Sequence, residues 1–216
     1  MKVKVCGLTQ KAQVEALEKM GVHYAGFIFY PQSPRYVLRH LALSEIRLID
    51  GNIKKVGVFV NEPLPSLQQI MVAAGLGVVQ LHGDESVDYC KQVIGKASVV
   101  KAFQVKSRAE MLEKIDQYKD VVDCFLFDTP SVQYGGTGEK FDWNAIADIE
   151  VGKPFLLSGG ISSEDIARID NFHSFPIARD LLAIDVNSRF EVSPGIKDLV
   201  MVEEFLKQLK KLNYAE

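Results

Sequence analysis

The stretch KVKVCGLTQKAQVEALEKMG, residues 2–21, contains one complete strand-then-helix unit. Residues 2–5 read as a short buried strand, and 10–21 as an amphipathic helix with Thr9 suited to capping it. Between them, where the strand should end, stand Cys6 and Gly7. A thiol at that point is either a small apolar filler, the usual lot of a lone cysteine, or a reactive group held at a strand terminus.

The same unit recurs along the chain. Apolar, β-branched runs occur at VKVC (3–6), YAGFIF (24–29), KVGVFV (55–60), VVQLHG (78–83), SVVKAFQV (98–105), DCFLFDT (123–129), PFLLSGG (154–160) and LLAIDVN (181–187). Amphipathic stretches lie between them, as at 65–75, 86–95 and 107–118, and 196–212 closes the series with lysines near its end. The runs are nearly continuous rather than alternating, as in a parallel sheet covered on both faces. Eight such repeats predict an α/β fold, a single-domain (β/α)8 TIM barrel spanning residues 1–216. The runner-up, a doubly wound open sheet, would usually carry a G-x-G-x-x-G turn after an early strand, and the sequence has none.

Composition narrows the function classes. With 216 residues, 47% of them hydrophobic, the chain can bury a sizeable core. A net charge of −3 with scattered basic residues argues against a nucleic-acid partner. No apolar run reaches the ~18 residues a membrane span needs, and Met1 leads directly into strand-like sequence, so neither a membrane nor an export signal is expected. Cys6, Cys90 and Cys124 are odd in number and far apart, with no CxxC and no His pair at ligand spacing. The expectation is a cytoplasmic protein with reduced thiols, Cys90 and Cys124 mostly structural, and neither a disulfide framework nor a structural zinc.

In a barrel of this kind the active site lies at the C-terminal ends of the strands. Polar residues do gather just after the apolar runs: Cys6, Arg35, Asn61, His82 and Asp84, Gln104, Asp128, Ser158 with Gly159 and Gly160, and Asp185 with Asn187 and Ser188. LLSGGI (156–161) places two glycines before a helix start marked by Ser162 or Ser163 and Glu164. Backbone N–H groups there can approach an anion closely, and DVNS (185–188) adds polar groups from the next loop, a pairing that suits phosphate. In PQSPRY (31–36) two prolines stiffen the loop carrying Arg35, a guanidinium able to clamp a carboxylate or phosphate. FLFDTP (125–130) sets Asp128 at the end of a strongly apolar strand, fit for a general acid or a turn cap. The glycines at 135, 136 and 138 make the following loop a candidate lid, with a helix start at Asp142. A thiol on strand 1 and a carboxyl on strand 6 could divide base and acid roles, as a sugar-phosphate isomerase requires. His82 reads as a ligand, a base, or a histidine satisfied by neighbouring backbone.

Taken together, KVCGLT (4–9), GFIFYPQSPRYV (26–37), VGVFVN (56–61), VQLHGDE (79–85), FLFDT (125–129), GGTGEKFDW (135–143), LLSGGI (156–161) and DVNSRFEVSPGIKD (185–198) resemble the phosphoribosylanthranilate isomerase family from one end of the chain to the other. The resemblance implies an aldose–ketose isomerase, an intramolecular oxidoreductase of tryptophan biosynthesis. Its reaction is the Amadori rearrangement of N-(5-phosphoribosyl)anthranilate to 1-(o-carboxyphenylamino)-1-deoxyribulose 5-phosphate. No cofactor or metal is implied, and the partner is a small phosphorylated substrate. It also implies Cys6 as general base, Asp128 as general acid and Arg35 on the anthranilate carboxylate. Gly159, Gly160, Asp185, Asn187 and Ser188 are implied to hold the phosphate, and Gly135, Gly136 and Gly138 to form the lid. Monomers and homodimers both suit the fold.

The chain departs from the family pattern at Arg189 and Phe190, where a small residue and valine are common before the glutamate, and at Ser158, where alanine is frequent. The segment 171–180 matches nothing in the pattern. Two alternatives remain: another phosphosugar barrel, of epimerase or synthase type with Lys101 as the strand lysine to serve it, or a non-catalytic phosphosugar-binding module.

Overall fold

Eight strands hydrogen-bond in chain order and the last returns to pair with the first, closing a parallel barrel. They are β1 (Lys2–Val5), β2 (Tyr24–Ile28), β3 (Lys54–Phe59), β4 (Val78–Leu81), β5 (Ser98–Gln104), β6 (Cys124–Asp128), β7 (Phe155–Ser158) and β8 (Leu181–Val186). The computed structural model describes residues 1–104, 107–128 and 143–212. Every strand begins within one residue of its apolar run and ends one or two residues before it. Cys6, His82, Gly159, Gly160 and Asn187, expected at the site, thereby fall just past the ends of their strands.

The helices are α1 (Lys11–Lys19), α2 (Leu43–Arg47), α3 (Leu64–Ala74), α4 (Val87–Val93), α5 (Arg108–Tyr118), α6 (Ile166–His173) and α7 (Leu199–Lys211). Ser86, Ser107 and Asp198 cap α4, α5 and α7 by accepting a backbone N–H in the first turn. Three local expectations change. Thr9 does not cap α1, because Gln10 holds that position and the Thr9 hydroxyl instead donates to the Gly195 carbonyl at 2.7 Å. The last helix starts at Leu199 rather than at 196, since β9 (Glu191–Ser193) and β10 (Ile196–Lys197) form a small antiparallel pair first. Between β6 and β7 the described residues hold a 3₁₀ turn, Trp143–Ile146, while the predicted helix start at Asp142 and the lid glycines 135, 136 and 138 lie outside the described residues.

Strand geometry sorts the side chains into two cores, because successive residues point to opposite faces. Tyr24, Val56, Val78, Val100, Ala102, Cys124, Leu126, Leu156 and Ala183 fill the barrel interior. Val5, Phe27, Leu81, Phe125, Phe127 and Leu157 have the opposite parity and pack beneath the helices in a much larger outer layer. Burial of each large side chain there stabilises the fold by about 1.5–3 kcal/mol. Cys90 lies in the outer layer and Cys124 inside, and burial pushes their thiols up to about 11 and about 12. Both behave as small hydrophobes, as their sequence context suggests. The segment 171–180, unplaced by sequence, completes α6 and makes a 3₁₀ turn (Pro176–Asp180) whose Ile177 is fully buried, so its work is packing.

Candidate active site

The interior parity continues past the apolar core towards the strand ends, where the inward positions turn polar. On β1 it passes from Lys4 to Cys6, on β6 from Leu126 to Asp128, and on β7 from Leu156 to Ser158. On β8 it runs from Ala183 to Asp185 and then Asn187, and on β4 from Val78 to Gln80 and His82. Cys6, Gln80, His82, Asp128, Ser158, Asp185 and Asn187 line one cavity of about 260 Å³, joined by Gly159, Gly160, Ile161, Ser188 and Arg189. Cys6, Asp128, Gly159, Gly160, Asp185, Asn187 and Ser188 are thus brought together as the sequence predicts.

Cys6 is only 4% exposed and sits beside two cations. Lys4, buried and register partner of Asp185 across β1 and β8, pairs with that carboxylate at 2.9 Å, and its charge also acts on Cys6. Burial pushes the Cys6 thiol above its ordinary value; Lys4 and Lys197 pull it down and the Asp185 charge adds to the rise. The resting group is therefore a thiol whose ionised form has cations waiting for it. At Lys4, burial disfavours the charge, but Asp185 and Cys6 outweigh it and hold the ammonium above its ordinary range.

Asp185, expected among the phosphate ligands, is engaged by partners within the protein. A carboxylate side chain is an acceptor only, and here one oxygen is engaged by Lys4 while the other faces the Ser158 hydroxyl at 3.4 Å. It offers an anion no donor, and its role is to balance Lys4. Gly159 and Gly160, both at positive φ (104° and 63°), shape the turn out of β7, and Ser162 with Asp165 forms a reciprocal cap on the next 3₁₀ turn. Asn187 and Ser188 begin a second short turn after β8.

On the opposite wall, His82 Nε2 lies 3.7 Å from an Asp128 oxygen, and its Nδ1 is 2.8 Å from the Gln80 amide nitrogen. His82 is thus held by side chains rather than by backbone. Lys101, the one candidate for a synthase-type lysine, is 1% exposed and fully engaged. Its Nζ pairs with Glu85 at 3.1 Å and donates to the carbonyls of Leu81, Gly83 and Ala102. Glu85 in turn accepts from the N–H groups of Asn61 and Gly83, so this pair braces the loops after β3 and β4. Asn61 adds to that brace by accepting the Asp84 N–H at 2.7 Å.

Arg35 stands at the rim rather than among the cavity-lining residues. Gly7 packs between it and Asn187: a Cβ at that position would fall 2.7 Å from Arg35 Cδ and from Asn187 Oδ1. Its guanidinium is held side-on by Glu191, Nε to the carboxylate at 2.9 Å and Nη2 at 2.6 Å, and Glu191 also accepts Lys197 Nζ at 2.7 Å. Arg189, whose place the sequence left open, lines the cavity next to Ser188. Sequence reading missed Lys4, Gln80, Glu191 and Lys197; for Lys4 and Gln80 the signal was available, as a charged and an amide residue at inward strand positions. Among the described residues no group of three or more His, Cys, Asp or Glu side chains is arranged to hold a metal ion.

The family model for N-(5'-phosphoribosyl)anthranilate (PRA) isomerase matches residues 3–208. The chain belongs to the phosphoribosylanthranilate isomerase family. Among curated relatives, the enzyme of that name from Parabacteroides distasonis is 38% identical over 97% of this chain and 93% of its own. That from Microcystis aeruginosa is also 38% identical, over 98% of both chains. Solved relatives agree in shape. The phosphoribosylanthranilate isomerase of Thermotoga maritima superposes with a TM-score of 0.83 at 30% identity, covering 98% of this chain and 99% of that one. A phosphoribosylanthranilate isomerase in complex with reduced 1-(o-carboxyphenylamino)-1-deoxyribulose 5-phosphate gives a TM-score of 0.80 at 28% identity, covering 98% and 99%. The eight-stranded barrel inferred from the family's motifs is the fold the chain adopts.

Proposed function

We propose that this chain isomerises N-(5'-phosphoribosyl)anthranilate to 1-(o-carboxyphenylamino)-1-deoxyribulose 5-phosphate, with Asp128 as general acid and Cys6 as general base. The observation that carries the assignment of roles is their convergence, from β6 and β1, on one cavity that also contains the glycine turn after β7 and the polar turn after β8. Asp128 donates its proton to the furanose ring oxygen, the C1–O bond breaks, and the amino nitrogen's electron pair forms an iminium. Cys6, as thiolate, then removes the C2 proton, and the electron pair of that C–H bond neutralises the iminium to give the enolamine. Lys4 and Lys197 together with the iminium offset the cost of a buried thiolate.

Gly159, Gly160, Asn187 and Ser188 receive the phosphate, and Arg35 presents its outer edge to the anthranilate carboxylate. A binding module would need neither the thiol nor the flanking cations, and the lysine a synthase-type reaction would call on, Lys101, is engaged by Glu85. The same reading places the enzyme in the cytoplasm with a small phosphorylated substrate, as monomer or homodimer; no helix among the described residues is long and apolar enough to cross a membrane.

The test is the decay of substrate fluorescence with freshly generated phosphoribosylanthranilate, run beside Cys6→Ala. Rapid decay with the wild type and a fall of about 10²–10⁴-fold in kcat with the variant are expected. Equal rates for both would keep the reaction but remove Cys6 from it. No decay with either, despite saturable binding of the reduced product analogue, would favour a binding module.

A further inference from the structure

The cluster around Arg35 contains more charge than a simple tether between loops requires. Glu191 and Lys197 are register partners across the small β9–β10 pair, and their side chains are 4% and 0% exposed. Glu191 accepts Arg35 Nε and Nη2, Lys197 Nζ at 2.7 Å and the Gly195 N–H at 3.0 Å. The Lys197 ammonium has three protons and three acceptors: Glu191 Oε1, Asn187 Oδ1 at 2.8 Å and the Asn187 carbonyl at 3.2 Å. Its backbone is fastened to Gln13 of α1 in both directions, at 2.9 and 3.0 Å. With every proton committed inside the protein, Lys197 can act on a bound ligand only through its charge.

Two consequences follow from the geometry. A guanidinium has two edges able to form paired hydrogen bonds, and Glu191 occupies the Nε–Nη2 edge, leaving the Nη1–Nη2 edge for a second carboxylate. An Arg35–Glu191 pair alone would be neutral and would attract an anion weakly. Lys197 returns the cluster to one net positive charge. Burying a third charge is costly, and a mere tether between the loops after β2 and β8 would be satisfied by the first two.

We propose that Glu191 and Lys197 are positioning residues for the carboxylate clamp, Glu191 aiming the free edge of Arg35 and Lys197 cancelling the charge of Glu191, so that together they set the preference for a substrate bearing a carboxylate. This deepens the reading of Arg35 given above and rests on it.

The experiment compares the affinities of two probes: reduced 1-(o-carboxyphenylamino)-1-deoxyribulose 5-phosphate and the same molecule lacking its carboxyl group. They are titrated into the full chain and its Lys197→Met and Glu191→Gln/Lys197→Met variants. For the wild type the carboxyl group should improve affinity about 10- to 100-fold, as a charge-assisted hydrogen-bonded pair does. Lys197→Met, with a neutral cluster, should lose most of that preference, the affinities of the two probes coming within about threefold of each other whatever change is common to both. The double variant again has one net positive charge, on Arg35, and the glutamine oxygen still accepts from its Nε side, so the preference should return. A tether would behave differently, weakening both probes alike in Lys197→Met with no recovery in the double variant, and that result would overturn the proposal, as would an unchanged preference in Lys197→Met. Should Lys197→Met fail to fold, the double variant decides alone: a lost preference there refutes the charge argument. A wild type that binds both probes equally would instead refute Arg35 as the carboxylate clamp.

Discussion

Replacing Lys4 by methionine removes one charge from the buried pair beside the Cys6 thiol and keeps an unbranched side chain of nearly the same length. Lys4 and Asp185 are 1% and 6% exposed at the side chain, and they face each other in register across β1 and β8. In Lys4→Met the Asp185 carboxylate stays buried with only the Ser158 hydroxyl, 3.4 Å away, near its second oxygen. Stranding a buried charge in this way costs about 3–5 kcal/mol. For a domain of this size each kcal/mol moves the melting temperature by about 2–4 °C, so a fall of roughly 6–20 °C is expected. Most of the loss belongs to the stranded carboxylate, and Lys4→Met/Asp185→Asn should therefore return to within about 1–2 kcal/mol of the wild type.

Activity should not follow stability. Lys4 pulls the Cys6 thiol down and Asp185 pushes it up, so the rising limb of kcat/KM against pH moves to higher pH in Lys4→Met and lies between the two in the double variant. Urea unfolding gives the first quantity and the fluorescence assay across pH the second. A Lys4→Met protein within about 1 kcal/mol of the wild type, or one whose pH limb has not moved, would refute the buried-pair reasoning.

Other expectations concern the rest of the site. Asp128→Asn should lower kcat by about 10²–10⁴-fold, while the reduced product analogue binds within a few-fold of the wild type; full activity would remove Asp128 from the mechanism. Glu85→Ala strands the Lys101 ammonium, both side chains being 1% exposed, and should cost about 3–5 kcal/mol in urea unfolding; a loss below about 1 kcal/mol would show the brace to be dispensable. Burial pushes the Glu191 carboxyl up, but the hydrogen bonds from Arg35 and Lys197 outweigh this and hold it below its ordinary range. Its contribution to stability is thus complete above the ordinary glutamate value, about 4.3, and is lost as pH falls through the lower folded value. Glu191→Gln should lack that part of the acid-side decline, and superimposable stability–pH curves would contradict it.

The strands and the polar residues at their ends were legible in the sequence because both follow from local chemistry. A parallel strand covered on both faces must be apolar nearly throughout, and a strand end or loop at the barrel mouth can carry Cys6, Asp128 or the Gly159–Gly160 turn without upsetting the core. Motif order then supplied the family. The partners of those residues were not legible. Lys4 meets Asp185 only when β8 closes on β1, and Lys101 meets Glu85 only when β5 lies beside the loop leaving β4. Glu191 reaches Arg35 across 156 residues of chain. Composition and periodicity determine which residues seek the interior and where each strand stops, since those depend on a residue and its near neighbours. Which buried charge neutralises which is decided by barrel closure and strand register, because Coulombic and hydrogen-bond complementarity act over a few ångströms of space without regard to separation along the chain.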